Sequence, residues 1–121
     1  IVFGNLHEEI LLIYDGNEDT LDKHISEKQT FICRDGHNGA LGITNKDKVI
    51  SNAIPISPID SVGAGDAFNI GFIYASCCGK DIEESLDIGN QVAAFKLLGS
   101  GARHLPTKEL LDDFNKKYQI N

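Results

Sequence analysis

Residues 60–68 of this 121-residue chain read DSVGAGDAF, a glycine-rich turn that runs directly into an apolar helical stretch. Glycines allow backbone N–H groups to crowd around an anion, and the start of a helix adds free amides and a partial positive charge. Asp66 stands at the junction, where a phosphate and an attacking hydroxyl group would meet. The segment therefore predicts a phosphoryl-transfer arrangement in which the backbone, rather than a lysine, holds the phosphate.

Spacing alone leaves a second interpretation of this segment open. Two glycines and an aspartate before a helix also form an ordinary tight turn with an acidic first helical turn. In that case Asp66 only stabilises the helix, by roughly 0.3–1 kcal/mol. In phosphoryl transfer, by contrast, a positioned aspartate accepts the proton of the hydroxyl nucleophile.

The composition is that of a soluble globular protein, with 41% hydrophobic and 24% charged residues. The formal net charge of −7 argues against nucleic acid or an anionic membrane as a partner, because both need a basic surface. No apolar run reaches the length of a membrane span, and no signal-peptide pattern is present. Because Ile1 is not a natural start, we expect these residues to belong to a longer chain.

The cysteines and histidines do not predict a metal site. Cys33, Cys77 and Cys78 are an odd number without metal-ligand spacing, so we expect reduced residues in or near the core of a cytoplasmic protein. The histidines are scattered, and we expect surface or local hydrogen-bonding roles for all four: His7, His24, His37 and His104.

Apolar patterning predicts an α/β fold of alternating strands and helices. Strands are expected at residues 1–4, 30–33, 40–44 and 48–51. The helix after residue 66 is apolar nearly all round, so we expect it to be deeply buried and to stop near Gly79. Asp81 is expected to cap the next helix with Glu84 in the reciprocal position, and Thr107 to cap the last one.

The DSVGAGDAF segment is very similar to the D-T-x-G-A-G-D-x-F signature of the ribokinase-like (phosphofructokinase B type) carbohydrate kinases, and departs from it only at Ser61. The resemblance implies a mainly parallel sheet with flanking helices. Residues 1–121 would be the C-terminal, nucleotide-binding part of a single kinase domain, without its N-terminal half and β lid. It also implies that Asp66 is the catalytic base, and that the anion is held by the amides of Gly63, Ala64, Gly65 and Asp66.

The activity that the resemblance implies is transfer of the γ-phosphoryl group of MgATP to a hydroxyl of a sugar or sugar-like small molecule. We expect the full-length protein to carry it out and the 121 residues alone to be inactive. Two alternatives stay open: a nucleoside kinase of the adenosine type, and a non-catalytic nucleotide-binding module. A homodimer of the full-length protein also stays open.

Asn5 and Glu8 have two interpretations. They have the spacing of a capping box at the start of a helix, and Glu9 is displaced from that spacing by one residue. They also resemble the family's N-x-x-E motif, which follows a strand and organises Mg²⁺ through bound waters near the phosphates.

Further nucleotide contacts are implied by the resemblance at Gly36, Asn90, Gly99 and Gly101. In the turn that carries Gly36, Arg34 does not match the family pattern. Its two interpretations are a phosphate contact and a turn arginine paired with Asp35.

Some family members bind a monovalent cation such as K⁺ beside the anion site. The resemblance implies Asp60 and backbone carbonyls of residues 96–101 as its ligands. Leu105 stands where a polar residue is usual and has no side-chain oxygen, which argues against K⁺ dependence.

Overall fold

A computed structural model of the chain describes residues 1–13, 21, 23–55, 63–97 and 108–117. These residues belong to two compact units, Ile1–Ala53 and Ile54–Asn121. None of the helices in the described ranges is long and apolar enough to cross a membrane.

The first unit contains a four-stranded sheet. The strands are β1 (Val2–Asn5), β2 (Phe31–Arg34), β3 (Ala40–Ile43) and β4 (Lys48–Ser51), in the spatial order β1-β2-β3-β4. β1 and β2 are parallel, whereas β3 is antiparallel to both of its neighbours. The four predicted strands are therefore confirmed, with ends that differ by one residue.

Helical turns follow β1 directly. A π-helical segment, Leu6–Ile10, continues into the short helix α1 (Leu11–Ile13). Their apolar side chains pack on one face of the sheet in a core of nine buried residues: Leu6, Ile10, Leu11, Leu21, Ile25, Phe31, Cys33, Leu41 and Ile43. The prediction that Cys33 is a buried thiol is confirmed.

A tight corner joins β2 to β3. It consists of a 3₁₀ turn, Gly36–Asn38, followed by Gly39 at a φ of 96°. A Cβ on Gly39 would collide with the carbonyl oxygen of Ser51 and lie 2.8 Å from the amide nitrogen of Ala53. Glycine is therefore required at position 39 both by the backbone angle and by the neighbouring chain.

The described residues of the second unit form three helices, α2 (Ala64–Cys77), α3 (Ile82–Leu97) and α4 (Lys108–Lys117). α2 and α3 approach closely, since a Cβ on Gly71 would lie 3.1 Å from the Cα of Gly89. α4 is tied to α3 by a hydrogen bond of 2.9 Å from Asn115 Nδ2 to Gln91 Oε1.

The predicted capping box of α3 is confirmed. The Asp81 carboxylate accepts a hydrogen bond of 2.8 Å from the Glu84 amide, and the Glu84 carboxylate accepts one of 3.5 Å from the Asp81 amide. The predicted end of α2 is also confirmed, because Gly79 follows it at a φ of 84°. Thr107, the predicted cap of α4, lies outside the described residues.

The prediction that α2 is deeply buried all round is wrong. Its buried residues form one face: Ala67, Phe68, Gly71, Phe72 and Ala75. The opposite face leaves Ile70 52%, Ile73 49% and Tyr74 60% exposed. The hydrophobicity of a helix shows what it is able to bury, whereas the packing of other segments decides which face becomes covered.

The expected burial of Cys77 and Cys78 is wrong as well. Both thiols are free, as predicted, but both are exposed. They lie at the C-terminal end of α2, beyond Ala75, the last of its buried residues.

Candidate active site

The N-terminus of α2 has an open backbone. Gly63, the residue before its first turn, has φ 80° and ψ 4°, a left-handed conformation that favours glycine, and among the described residues no side chain caps the helix. The first helical hydrogen bond runs from the Ala67 amide to the Gly63 carbonyl at 2.9 Å. The amides of Ala64, Gly65 and Asp66 precede this bond, so they have no acceptor within the helix.

Asp66 lies in this same first turn and its side chain is exposed. Within the described ranges, its carboxylate makes no hydrogen bond or ion pair. The carboxylate is therefore accessible to a ligand that binds at the amides. Helix-start amides with a carboxylate in the same turn are an arrangement that is able to bind an anion.

A second group of polar side chains lies at the carboxyl ends of β1 and β2. Asn5 and Arg34 are partners in the register of this parallel pair. The carboxyl ends of parallel strands are the edge at which α/β proteins bind ligands. The structure thus brings Asn5 and Arg34 to the kind of position where a ligand site is expected.

Asn5 caps the π-helical segment, but the predicted reciprocal partner is wrong. The Asn5 Oδ1 accepts hydrogen bonds from the amides of His7 at 3.1 Å and Glu8 at 3.0 Å. The Asn5 amide donates a hydrogen bond of 2.9 Å to the carboxylate of Glu9 rather than to that of Glu8. A π-helical turn contains more residues than an α-helical one, so the side chain that faces back to the cap comes one position later.

The pairing predicted for Arg34 as a turn residue is also wrong. Its Nη2 lies 3.5 Å from the same Glu9 Oε1, whereas Asp35 Oδ1 lies 3.1 Å from His7 Nε2. Glu9 therefore joins the start of the helical turns to the end of β2. The Nε of Arg34 is buried and has no hydrogen-bond partner among the described residues.

These contacts give Asn5 and Glu8 different capacities to coordinate a metal ion. Both lone pairs of the Asn5 oxygen are occupied by amides, which leaves this oxygen no capacity for direct coordination. The Glu8 side chain is exposed, and in the described part of the chain it has no hydrogen-bond or ion-pair partner. A carboxylate of this kind fits Mg²⁺, which prefers oxygen ligands and retains several waters.

The sequence profile described as pfkB family carbohydrate kinase matches residues 1–109. The chain belongs to the pfkB family. It is 32% identical over 80 residues to the ribokinase of Bacillus subtilis (strain 168), a match that covers 65% of this chain and 27% of the ribokinase.

Solved structures of pfkB-type kinases are similar over nearly the whole chain. The nucleoside kinase of Methanocaldococcus jannaschii, an archaeal member of the ribokinase family, matches with a TM-score of 0.76 and 27% identity, over 95% of this chain and 39% of its own. A fructokinase double mutant of Vibrio cholerae O395, solved with fructose, ADP and potassium ion, matches with a TM-score of 0.80 and 25% identity, over 93% and 39%. The predicted ribokinase-like fold class is confirmed, and the chain spans well under half the length of these relatives.

Within this pfkB chain, the remaining nucleotide-contact predictions have different surroundings. Gly36 has a φ of 53°, and a Cβ there would meet no atom of the described residues within 4 Å, so these residues leave the backbone of the corner open. Asn90 is half-buried on α3. Four residues from the nucleotide and K⁺ predictions lie outside the described residues: Asp60, Gly99, Gly101 and Leu105.

Two side chains that the sequence interpretation missed are notable in the pfkB chain. One is Glu9, which takes the capping role expected of Glu8. The other is Lys96, which is fully buried on α3. The spacing of Lys96 from Val92 and Gly89 places it on the stripe of α3 that packs against α2. This spacing would have predicted the burial of Lys96 from the sequence.

Proposed function

We propose that the intact protein transfers the γ-phosphoryl group of MgATP to a hydroxyl of a sugar or sugar-like small molecule. The observation that carries this proposal is the N-terminus of α2, where amides without an acceptor in the helix and the exposed Asp66 carboxylate share one helical turn. Phosphoryl transfer needs little covalent chemistry from a protein, because positioning and charge stabilisation supply most of the catalysis.

In the proposed reaction Asp66 accepts the proton of the acceptor hydroxyl. The oxygen of that hydroxyl forms a bond to the γ-phosphorus, while the bond from phosphorus to the β,γ-bridging oxygen breaks and ADP leaves. The amides of Gly63, Ala64, Gly65 and Asp66 stabilise the negative charge on the phosphoryl group in flight. These donors are fixed by the helix, so they require no reorganisation during the reaction.

Glu8 is the residue that we assign to Mg²⁺, through its exposed carboxylate and bound water. The metal ion, when bound, neutralises charge on the phosphate oxygens. Asn5 has a positioning role in this proposal, because its oxygen already holds the amides of His7 and Glu8 and so fixes the turn that carries Glu8.

The nucleotide is assigned to the remaining predicted contacts, Gly36, Asn90, Gly99 and Gly101. Residues 1–121 then form the C-terminal, nucleotide-binding part of one kinase domain. The open backbone at Gly36 supports a main-chain contact there. Leu105 has no side-chain oxygen to offer, which argues against K⁺ dependence.

Sugar and nucleoside acceptors both fit the proposal. The similarity to the Bacillus subtilis ribokinase favours a sugar, and the similarity to the archaeal nucleoside kinase favours a nucleoside. The free thiols and the net charge of −7 support a cytoplasmic reaction on a small molecule, without nucleic acid or membrane as partner.

The test is an assay of MgATP-dependent phosphorylation by the intact protein over a panel of sugars and nucleosides. Asp66→Asn should reduce kcat by about 10²- to 10⁴-fold, because the hydroxyl loses its proton acceptor, while ATP affinity changes little. Asp112→Asn is the matched control at an exposed aspartate on α4, and it should leave kcat unchanged. A near-normal kcat for Asp66→Asn would refute the assignment of the base, and no turnover with any acceptor would favour a non-catalytic module.

A further inference from the structure

Lys96 is an anomaly in the last turn of α3. Its side chain is 0% exposed, and its Nζ has no hydrogen-bond partner among the described residues. Burial of an unpaired ammonium group is strongly unfavourable, even after the protein relaxes. A buried lysine of this kind therefore favours a neighbouring anion that balances its charge.

The packing of α2 on α3 locates Lys96 along α2. A Cβ on Gly71 would lie 2.9 Å from Val92 Cγ2, and a Cβ on Gly89 would lie 2.7 Å from Phe68 Cε2. Four residues connect the two helices, so α3 runs back along α2. Lys96 follows Val92 by one helical turn, about 6 Å further in the direction of the N-terminus of α2.

On α2, Ala67 lies one helical turn from Gly71 in that same direction. Ala64 lies three residues beyond Ala67. By this count of helical turns, Lys96 is expected at the level of the first turn of α2. Ala67 is itself buried, which agrees with a covered surface at this level. The ammonium group and the free amides of Ala64, Gly65 and Asp66 belong to the same end of the helix pair.

In the described part of the chain Lys96 has no ion-pair partner, and the Asp66 carboxylate in the first turn of α2 makes no ion pair with it. The N-terminus of α2 carries a partial positive charge, and an ammonium group beside it adds to that charge. The C-terminus of α3 offers partial compensation, but no described carbonyl accepts a hydrogen bond from the Lys96 Nζ. A tetrahedral phosphate has enough acceptor oxygens to bind the amides and the ammonium group together.

We propose that Lys96 is a further anion-binding residue, which holds a phosphate group of the nucleotide together with the free amides at the start of α2. The inference rests on the proposed function, because it assigns one more ligand to the same phosphoryl site. In this arrangement both backbone and a buried lysine hold the phosphate, in contrast to the purely backbone site expected from the sequence.

The experiment compares ADP with adenosine, which lacks the phosphates, by calorimetry on the intact protein. Lys96→Met keeps the length and volume of the side chain and removes its charge. The affinity for ADP should fall at least tenfold, and the affinity for adenosine should change less than twofold. Lys80→Met is the matched control, because Lys80 is exposed and pairs with Glu84 at 3.7 Å; it should change neither affinity.

The thermal midpoint of the ligand-free protein provides the second measurement. Lys96→Met should leave it unchanged or raise it, since an unpaired buried charge is removed. An unchanged ADP affinity, or equal losses for ADP and adenosine, would overturn the proposal and indicate that Lys96 has an internal, structural partner. If the wild-type protein fails to bind ADP, the proposed function fails as well, whereas binding that is unaffected by Lys96→Met refutes this inference alone.

Discussion

The N-termini of α2 and α3 lie in the same unit and differ in how their free amides are satisfied. At α3, the carboxylate of Asp81 occupies the amide of Glu84, and the carboxylate of Glu84 returns to the amide of Asp81. At α2, Gly63 supplies no side chain, and the first three amides have no acceptor within the helix. The comparison shows that the start of α3 is capped by its own side chains, whereas the described residues at the start of α2 provide no such cap.

The start of the π-helical segment is intermediate between these two. Asn5 and Glu9 complete a capping box there, as Asp81 and Glu84 do at α3. The neighbouring Glu8 carboxylate is left without a partner in the described part of the chain. A capped turn is therefore able to present a carboxylate to a ligand when an adjacent residue takes over the capping role.

The largest expected effect is at the open helix start. Gly63→Val places a β-branched residue at a φ of 80°, so the turn must shift and carry the amides of α2 away from the anion. Strain of about 2 kcal/mol corresponds to a loss of roughly 30-fold in ATP affinity. Calorimetric titration of the intact protein measures this loss.

Gly79→Val is the matched control for Gly63→Val. Gly79 has a φ of 84° at the other end of α2, and a Cβ there would meet no atom within 4 Å. It should destabilise the fold by a similar amount and leave ATP affinity unchanged. Equal losses of affinity in both variants would mean that the α2 start has no special relation to the nucleotide.

A smaller effect is expected at the closed helix start. Asp81→Ala removes the side chain that satisfies the Glu84 amide and should lower the free energy of unfolding by about 1 kcal/mol. Because this helix start is completed internally, ATP affinity should not change. Chemical denaturation and titration of the same sample give both values, and a weaker ATP affinity would remove the contrast between α2 and α3.

The smallest effects sharpen the difference between Glu8 and Glu9. Glu9→Gln weakens a hydrogen bond and an ion pair that are partly exposed, so it should cost about 0.5 kcal/mol of stability. Glu8→Gln should leave stability unchanged and raise the Mg²⁺ concentration needed for half-maximal turnover several-fold. Mg²⁺ titrations of turnover, paired with denaturation curves, separate the two roles. The reverse pattern would assign the metal to Glu9.

Much of the fold follows from patterns between near neighbours. The four strands, the box of Asp81 and Glu84, and the glycine-led start of α2 all depend on residues a few positions apart, and their predictions were confirmed. The Glu8 capping prediction failed because it assumed an α-helical turn. The π-helical geometry moved the reciprocal role to Glu9.

Other features were not available from spacing because they need a partner distant in the chain. Arg34 pairs with Glu9 instead of its neighbour Asp35, and Gln91 is held by Asn115. The exposed face of α2 and its exposed cysteines were also not available from spacing. Their burial would depend on which distant segment packs on that surface. Composition shows only that a residue is suited to a core.

The sequence by itself determined the family, the open glycine turn and the position of Asp66 in that turn, because a turn and the helix it starts are encoded by consecutive residues. Only the tertiary structure decided which of two adjacent glutamates is occupied in a cap, and that Lys96 is fully buried. The physical reason is that hydrogen bonds within one turn depend on local backbone geometry, whereas the burial of a charge depends on how two helices pack along their whole length.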